Sequence, residues 1–201
     1  MKPAALVLAL LRTHTSDTTK AWGFILRGAA LQNPVGGGCT LACAVSDTVY
    51  EITATAGGTD WYIPFHSGEA RYCDVPAGQP NGTLVVTFPM NGCALEVRAH
   101  GGGVNRFYHD SDGRSLPAGP IAPKCRVNYQ AMAGGNEQTL VKALRTPRVQ
   151  NFEHTLICVK DNANWNVYQT AVVSAFQPDM VSLNRFQVKD YLPNPLATFA
   201  D

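Results

Sequence analysis

Charge is scarce in this sequence. Charged residues make up 15% of the 201 positions, and sixteen Lys and Arg against fifteen Asp and Glu leave a formal charge of +1. The basic residues are scattered, so there is no electrostatic footprint for nucleic acid or an anionic membrane surface, and neither is expected as a partner. Long apolar runs are missing too. The run from Ala4 to Leu11 in "MKPAALVLALLRTHTSD" is too short to span a bilayer and has no small-residue cleavage site behind it. A helix or strand packed on the core is expected there rather than a cleavable signal peptide. No internal repeat, heptad pattern or low-complexity tail is visible.

Several chemical motifs are incomplete. Cys39 and Cys43 form a CxxxC with no second pair of metal-like spacing, so no zinc site is expected. The runs Gly36 to Gly38 and Gly101 to Gly103 belong to no G-x-G-x-x-G or P-loop pattern and suggest loops between strands. "HGGG" at 100 to 103 matches an oxyanion-hole motif of lipases, but no G-x-S-x-G elbow accompanies it, and "GRSLP" at 113 to 117 fails at its last position. "DSDG" at 110 to 113 lacks the other calcium-loop ligands and is most simply a turn. Neither metal nor organic cofactor is expected.

What the chain does have is turn formers between short apolar runs: 45% of residues are hydrophobic, with 18 Gly and 13 Pro. About ten β-branched or aromatic runs are expected as strands, at 39–47, 48–58, 60–65, 81–89, 93–100, 104–110, 124–132, 154–161, 165–176 and 180–191. Helices are expected at 2–13 and at 134–147, where Leu140, Val141 and Leu144 fall near helical spacing before a proline. The expected fold class is α+β and β-dominated: two packed mixed β-sheets in a sandwich-like core, with a few peripheral helices, in a single domain over 1–201. Six irregularly spaced cysteines in a chain long enough to build its own core are expected mostly as free, buried thiols.

The stretch "FPMNGCALEVRAHGGGVNRFYHDSDG" concentrates the reactive residues. Gly92 permits a sharp turn before Cys93, and such a turn, with Asn91 in it, can free backbone N–H groups to face a developing oxyanion. If 93–100 and 104–110 form a hairpin around the glycine loop, His109 returns to the level of Cys93 and can deprotonate its thiol. Thr87 lies six residues before Cys93, an even number that places both on one face of an ideal strand, where Thr87 could hold the second imidazole nitrogen. From the residues alone two roles fit Cys93 and His109, a dyad or an unrelated buried pair. The buried pair is the better supported, because free cysteine is among the most buried residue types. His66 and His100 are expected on the surface, and Trp61 or Trp165 could serve a β-rich binding module as exposed aromatics. Tyr129 and Gln130 could neighbour the dyad, though no spacing shows it.

In this order, Thr87, Gly92, Cys93 and His109 resemble the Burkholderia lethal factor-like and cytotoxic necrotizing factor-like family of glutamine deamidase toxins. "TFPMNGC", "GGG" and "FYHD" follow that family's pattern of Thr, Gly-Cys turn, glycine-rich hairpin and aromatic-His pair. Upstream, "WYIPFHSGEA" at 61 to 70 is similar to a run before the family's cysteine, so the likeness covers about residues 59 to 112. Asn91 stands where the family usually has serine. The resemblance implies a toxin fold like the necrotizing-factor catalytic domain, with Cys93 as nucleophile, His109 as base and Thr87 as its orienting partner. It implies a monomer released from a bacterium and acting in the host cytosol, where it converts a glutamine of a host protein to glutamate. Family targets are a translation-initiation RNA helicase and Rho-family GTPases, and the sequence chooses neither. A transglutaminase or a cysteine protease would use the same dyad, and a non-enzymatic binding module would not use it.

Overall fold

A computed structural model describes residues 1–27, 36–133, 149–176, 183–188 and 195–201. The helix expected at 134–147 lies outside the described residues. Among them the chain is β-dominated, with two packed sheets and few helices, as the turn-rich composition led one to expect. The larger sheet is mixed. Its path is β1 (Phe24–Leu26), β3 (Val49–Ala56), β2 (Gly37–Ser46), β4 (Asp60–Ile63), β6 (Leu84–Thr87), β10 (Val149–Asp161), β11 (Asn164–Phe176) and β12 (Leu183–Val188), with β13 (Ala197–Ala200) also on β11. The pairs β1–β3 and β4–β6 are parallel and the others antiparallel. The smaller sheet is antiparallel in the order β5 (Ala70–Pro76), β8 (Val104–Asp110), β7 (Ala94–Ala99), β9 (Cys125–Val127).

Strand alternation sorts the core into two layers. On β6 every side chain is buried, Val85 facing the small sheet while Leu84 and Val86 face the other way; on β10, Leu156 and Cys158 oppose Ile157 and Val159 in the same manner. The inter-sheet layer also takes Cys73, Val75, Leu95, Val97, Phe107 and Trp165. The outer layer is covered by α1 (Ala4–Thr13) through Val7 and Leu11. Arg12, in the last turn of α1, forms an ion pair with Asp60 of β4, and Asp60 Oδ1 also accepts the N–H of Leu84 at 3.0 Å. The helix is thereby locked to the strands it covers. No described helix is long and apolar enough to cross a membrane.

Three expectations need correction, and four elements lie where none was stated. The run 124–132 is strand only as far as Val127, because Asn128 Oδ1 accepts the N–H of Ala131 at 2.9 Å and caps the short helix α3 (Tyr129–Ala133). Gly37 and Gly38 are not loop but strand, paired with Tyr62 and Trp61. Just ahead of them a Cβ on Gly36 would stand 2.0 Å from Tyr62 O, so glycine there answers a close backbone approach. Strands β1, β5 and β13 and the threonine-rich helix α2 (Thr15–Ala21) carry too few β-branched runs or helix formers to stand out in the sequence. Finally, Trp165 is not an exposed aromatic. It is 0% exposed, 5.3 Å from the Phe107 ring, and donates its indole N–H to Asp201 Oδ1 at 3.0 Å.

Candidate active site

The face of β6 that carries Val85 into the inter-sheet layer carries Thr87 there as well, two residues on. Thr87 is 1% exposed, and its Oγ1 lies 2.6 Å from His109 Nδ1 and 3.1 Å from Ile63 O. A carbonyl accepts only, so the hydroxyl proton goes to Ile63 and Thr87 Oγ1 must accept from Nδ1–H. This assigns the imidazole tautomer: Nδ1 protonated, Nε2 a bare lone pair. Nε2 is buried and has no hydrogen-bond partner. The Phe65 ring lies 4.9 Å from the imidazole and is itself 42% exposed, so it covers His109 from the solvent side.

The glycine-rich segment is a hairpin turn, with Gly101, Gly102 and Gly103 all at positive φ between β7 and β8. Its register differs from the sequence expectation. His109 stands opposite Leu95, and Cys93 lies two residues before Leu95, just ahead of β7. Cys93 and His109 are therefore diagonal cross-strand neighbours, a relation that separates side-chain origins by about 7 Å. Gly92 takes φ 80°, and a Cβ placed on it would meet no atom within 4 Å, so conformation and not space requires glycine. The loop holding Asn91 and Gly92 is stitched to β10: Met90 N–H donates to His154 O at 2.7 Å, and His154 N–H donates to Asn91 Oδ1 at 3.4 Å. Asn91 is thus a turn residue whose side-chain oxygen faces β10.

Cys93 is 4% exposed and its Sγ contacts Asn91 O at 3.7 Å, so in this state the thiol is not bonded to His109 Nε2. Burial pushes the Cys93 thiol pKa up, opposed by the backbone N–H of Asp112 and reinforced by the carboxylates of Asp112 and Asp110. Burial alone pulls His109 down to about 3. Both shifts favour neutral forms, so the pair rests as thiol and imidazole, with the free Nε2 lone pair available as a base.

The remaining candidates divide. His66 sits exposed on the loop beyond Phe65, and His100 accepts from Arg106 Nη2 at 2.7 Å on the far face of the hairpin. Trp61 is half-buried against the core, and Gln130 is exposed on α3. Tyr129 meets His154, not His109, with ring centroids 5.8 Å apart. Two residues were given no role by sequence patterning: Phe65, inside the "WYIPFHSGEA" run but not singled out there, and His154, one residue of a long strand with no local signal tying it to Cys93. All six cysteines carry free thiols, and among the described residues no three His, Cys, Asp or Glu side chains converge as metal ligands. No protein-family description matches the chain, and a search of curated proteins finds no match.

Proposed function

We propose that the chain hydrolyses a glutamine side-chain amide of a protein substrate, with Cys93 as nucleophile and His109 as base. One observation carries this: a fully buried imidazole whose Nδ1 is fixed by Thr87 while Nε2 is left without a partner. An unsatisfied buried polar atom costs about 1–3 kcal/mol, so a nitrogen left in that condition calls for a functional account. Rotation of the Cys93 side chain away from Asn91 O delivers the thiol proton to Nε2. The sulfur then attacks the carboxamide carbon, His109 returns the proton to the departing ammonia, and a thioester remains. Water, activated by the same nitrogen, hydrolyses it to glutamate and restores the thiol. Because both dyad members are nearly inaccessible, the Phe65 side chain moves aside to admit the substrate.

The resemblance in Thr87, Gly92, Cys93 and His109 supports the choice of glutamine, and with it a bacterial toxin or effector acting on a host protein. Exchange of amide for carboxylate places a new negative charge on that target, the lever that also makes phosphorylation effective. The test incubates host-cell extract with the chain or its Cys93→Ser variant and maps glutamine-to-glutamate conversions by mass spectrometry. Conversions at defined sites, absent with the variant, are expected. Amine incorporation or backbone cleavage would instead assign the dyad to a transglutaminase or a protease, and Cys93 no more reactive to thiol reagents than the other cysteines would leave a binding module.

A further inference from the structure

The loop that covers His109, residues 64–69 between β4 and β5, is fixed at its ends and lightly held in between. Pro64 is buried, and Ala70 pairs with Asp110 on β8. From Phe65 to Glu69 every residue is exposed. The Glu69 N–H donates to His66 O at 3.3 Å and closes a turn in which Gly68 takes φ 77°; a Cβ there would meet no atom within 4 Å. Glycine serves the shape of this turn and not a close neighbour.

Two hydrogen bonds fasten the turn to the body of the protein, and both go to Ser111, two residues after His109. Gly68 N–H donates to Ser111 Oγ at 3.0 Å, and Ser111 N–H donates to Glu69 O at 3.3 Å. Ser111 is a firm anchor: it is 2% exposed, and its carbonyl accepts the Ser115 hydroxyl at 2.9 Å. The Glu69 carboxylate adds ion pairs with Arg71 at 2.5 Å and with His66 at 3.8 Å, which lie in solvent and hold the loop weakly. At the other side of the loop the Phe65 ring stands 4.9 Å from the His109 imidazole. With the loop shut, His109 Nε2 is buried without a partner. With it open, water can bond to that nitrogen, which offsets part of what the broken latch loses. A segment with exposed backbone and few anchoring contacts belongs to the low-stability end of a fold, from which access motions are drawn.

We propose that residues 64–69 are a lid, latched by Ser111, whose opening uncovers His109 Nε2 to the substrate. The proposal rests on the base role given to His109 above. It adds the unit that moves with Phe65 and the side chain that sets how often it opens. The hinges are the buried Pro64 and the paired Ala70, so β4 and β5 stay in place while the turn between them swings away.

Diethyl pyrocarbonate acylates an unprotonated imidazole nitrogen and therefore reads the exposure of Nε2. Its rate of reaction with each histidine at pH 7, followed by peptide mass spectrometry on the full chain, tests the lid. Ser111→Ala removes the Oγ acceptor and keeps the backbone bond, and modification of His109 is expected to quicken by about threefold to tenfold. Phe65→Ala removes the cover itself, and about a tenfold or greater increase is expected. His154, also 0% exposed, gauges general unfolding and should keep its wild-type rate in both variants. In the wild type, amide exchange at Gly68, read by NMR, should outrun that of the β8 amides by about a hundredfold or more. Should Ser111→Ala fail to fold by circular dichroism, Phe65→Ala and the wild-type exchange decide. An unchanged His109 rate in either folded variant, an equal rise at His154, or Gly68 protection matching that of β8 would overturn the proposal. Acylation consumes no glutamine, so the expected rates beside an absence of glutamine hydrolysis would sink the deamidase assignment and leave the lid standing. Unchanged rates beside intact hydrolysis would sink the lid alone.

Discussion

Strand β8 carries two buried polar sites on one face, and they are solved in opposite ways. At its start, Asn105 donates to Asp201 Oδ1 at 2.9 Å, and the same carboxylate takes the Trp165 indole N–H, the Gly78 N–H at 2.8 Å and the Lys160 ammonium at 3.3 Å. Four residues on, about 13 Å along an extended strand, His109 is as deeply buried but leaves Nε2 unmet. Saturation at one end stitches β5, β8, β10 and β11 together. The unmet nitrogen at the other is what stability alone would have removed, since a fully satisfied network or an apolar replacement costs less than a half-satisfied one. The first end holds the sheets, and the second holds the imidazole proposed as the base.

The largest effects should separate these ends by their readout. Cys93→Ser and His109→Gln are each expected to lower glutamine hydrolysis by about a thousandfold or more while leaving the unfolding free energy close to wild type. Asp201→Ala should do the reverse, costing about 3 kcal/mol in urea unfolding because it leaves the buried Lys160, which keeps only its bond to Asn162 O, without a counter-charge and the Trp165 N–H without its acceptor, with Cys93 reactivity little altered at temperatures where the variant is folded. If Asp201→Ala abolished alkylation of Cys93 in the folded state, the two ends would not be separable.

Thr87→Val is a smaller and sharper probe. It preserves shape and removes the acceptor for Nδ1–H, freeing the imidazole to change tautomer, and about a tenfold to hundredfold loss in kcat is expected with KM nearly unchanged. Thr87→Ser, which keeps the hydroxyl, should recover most of the rate. Equal losses in both variants would mean that packing of the methyl group, and not orientation of the ring, is what Thr87 supplies.

The sequence makes the saturated and the unsatisfied ends legible to different degrees. Strands rich in β-branched residues, such as β6 and β11, announce themselves, and the alternation of β6 leads from Val85 directly to Thr87. Strand β5 does not, because Cys73 and Val75 alternate with Tyr72 and Asp74 in a run that opens with alanine and arginine. The glycine run marked the hairpin but not its register: the three-residue turn Gly101–Gly103 closes with His100 N–H donating to Val104 O at 2.9 Å, and counting back from that pair sets His109 opposite Leu95 rather than Cys93. Trp165 misled for a related reason. An indole reads as a surface anchor until its N–H partner is known, and that partner, Asp201, lies 36 residues away.

The smallest expected effect concerns acid. His109 has its folded pKa pulled down to about 3 by burial, below the ordinary value near 6.5 of an unfolded histidine. As pH falls below about 6.5 the unfolded chain binds a proton that the native imidazole refuses, and native stability declines, by about 1.4 kcal/mol for each pH unit between those limits. Asp201, whose carboxyl is held below its usual range by Gly78, Trp165 and Lys160 against the cost of burial, loses its contribution only at lower pH, as its own folded pKa is crossed. Urea unfolding at pH 7.0 and 5.5 should therefore show a drop of about 1.3 kcal/mol that belongs to His109, and His109→Gln should remove that part of the drop. The same slope in wild type and variant would mean that the imidazole takes its proton inside the fold, and that the contrast between a saturated end and an unsatisfied one does not extend to protons.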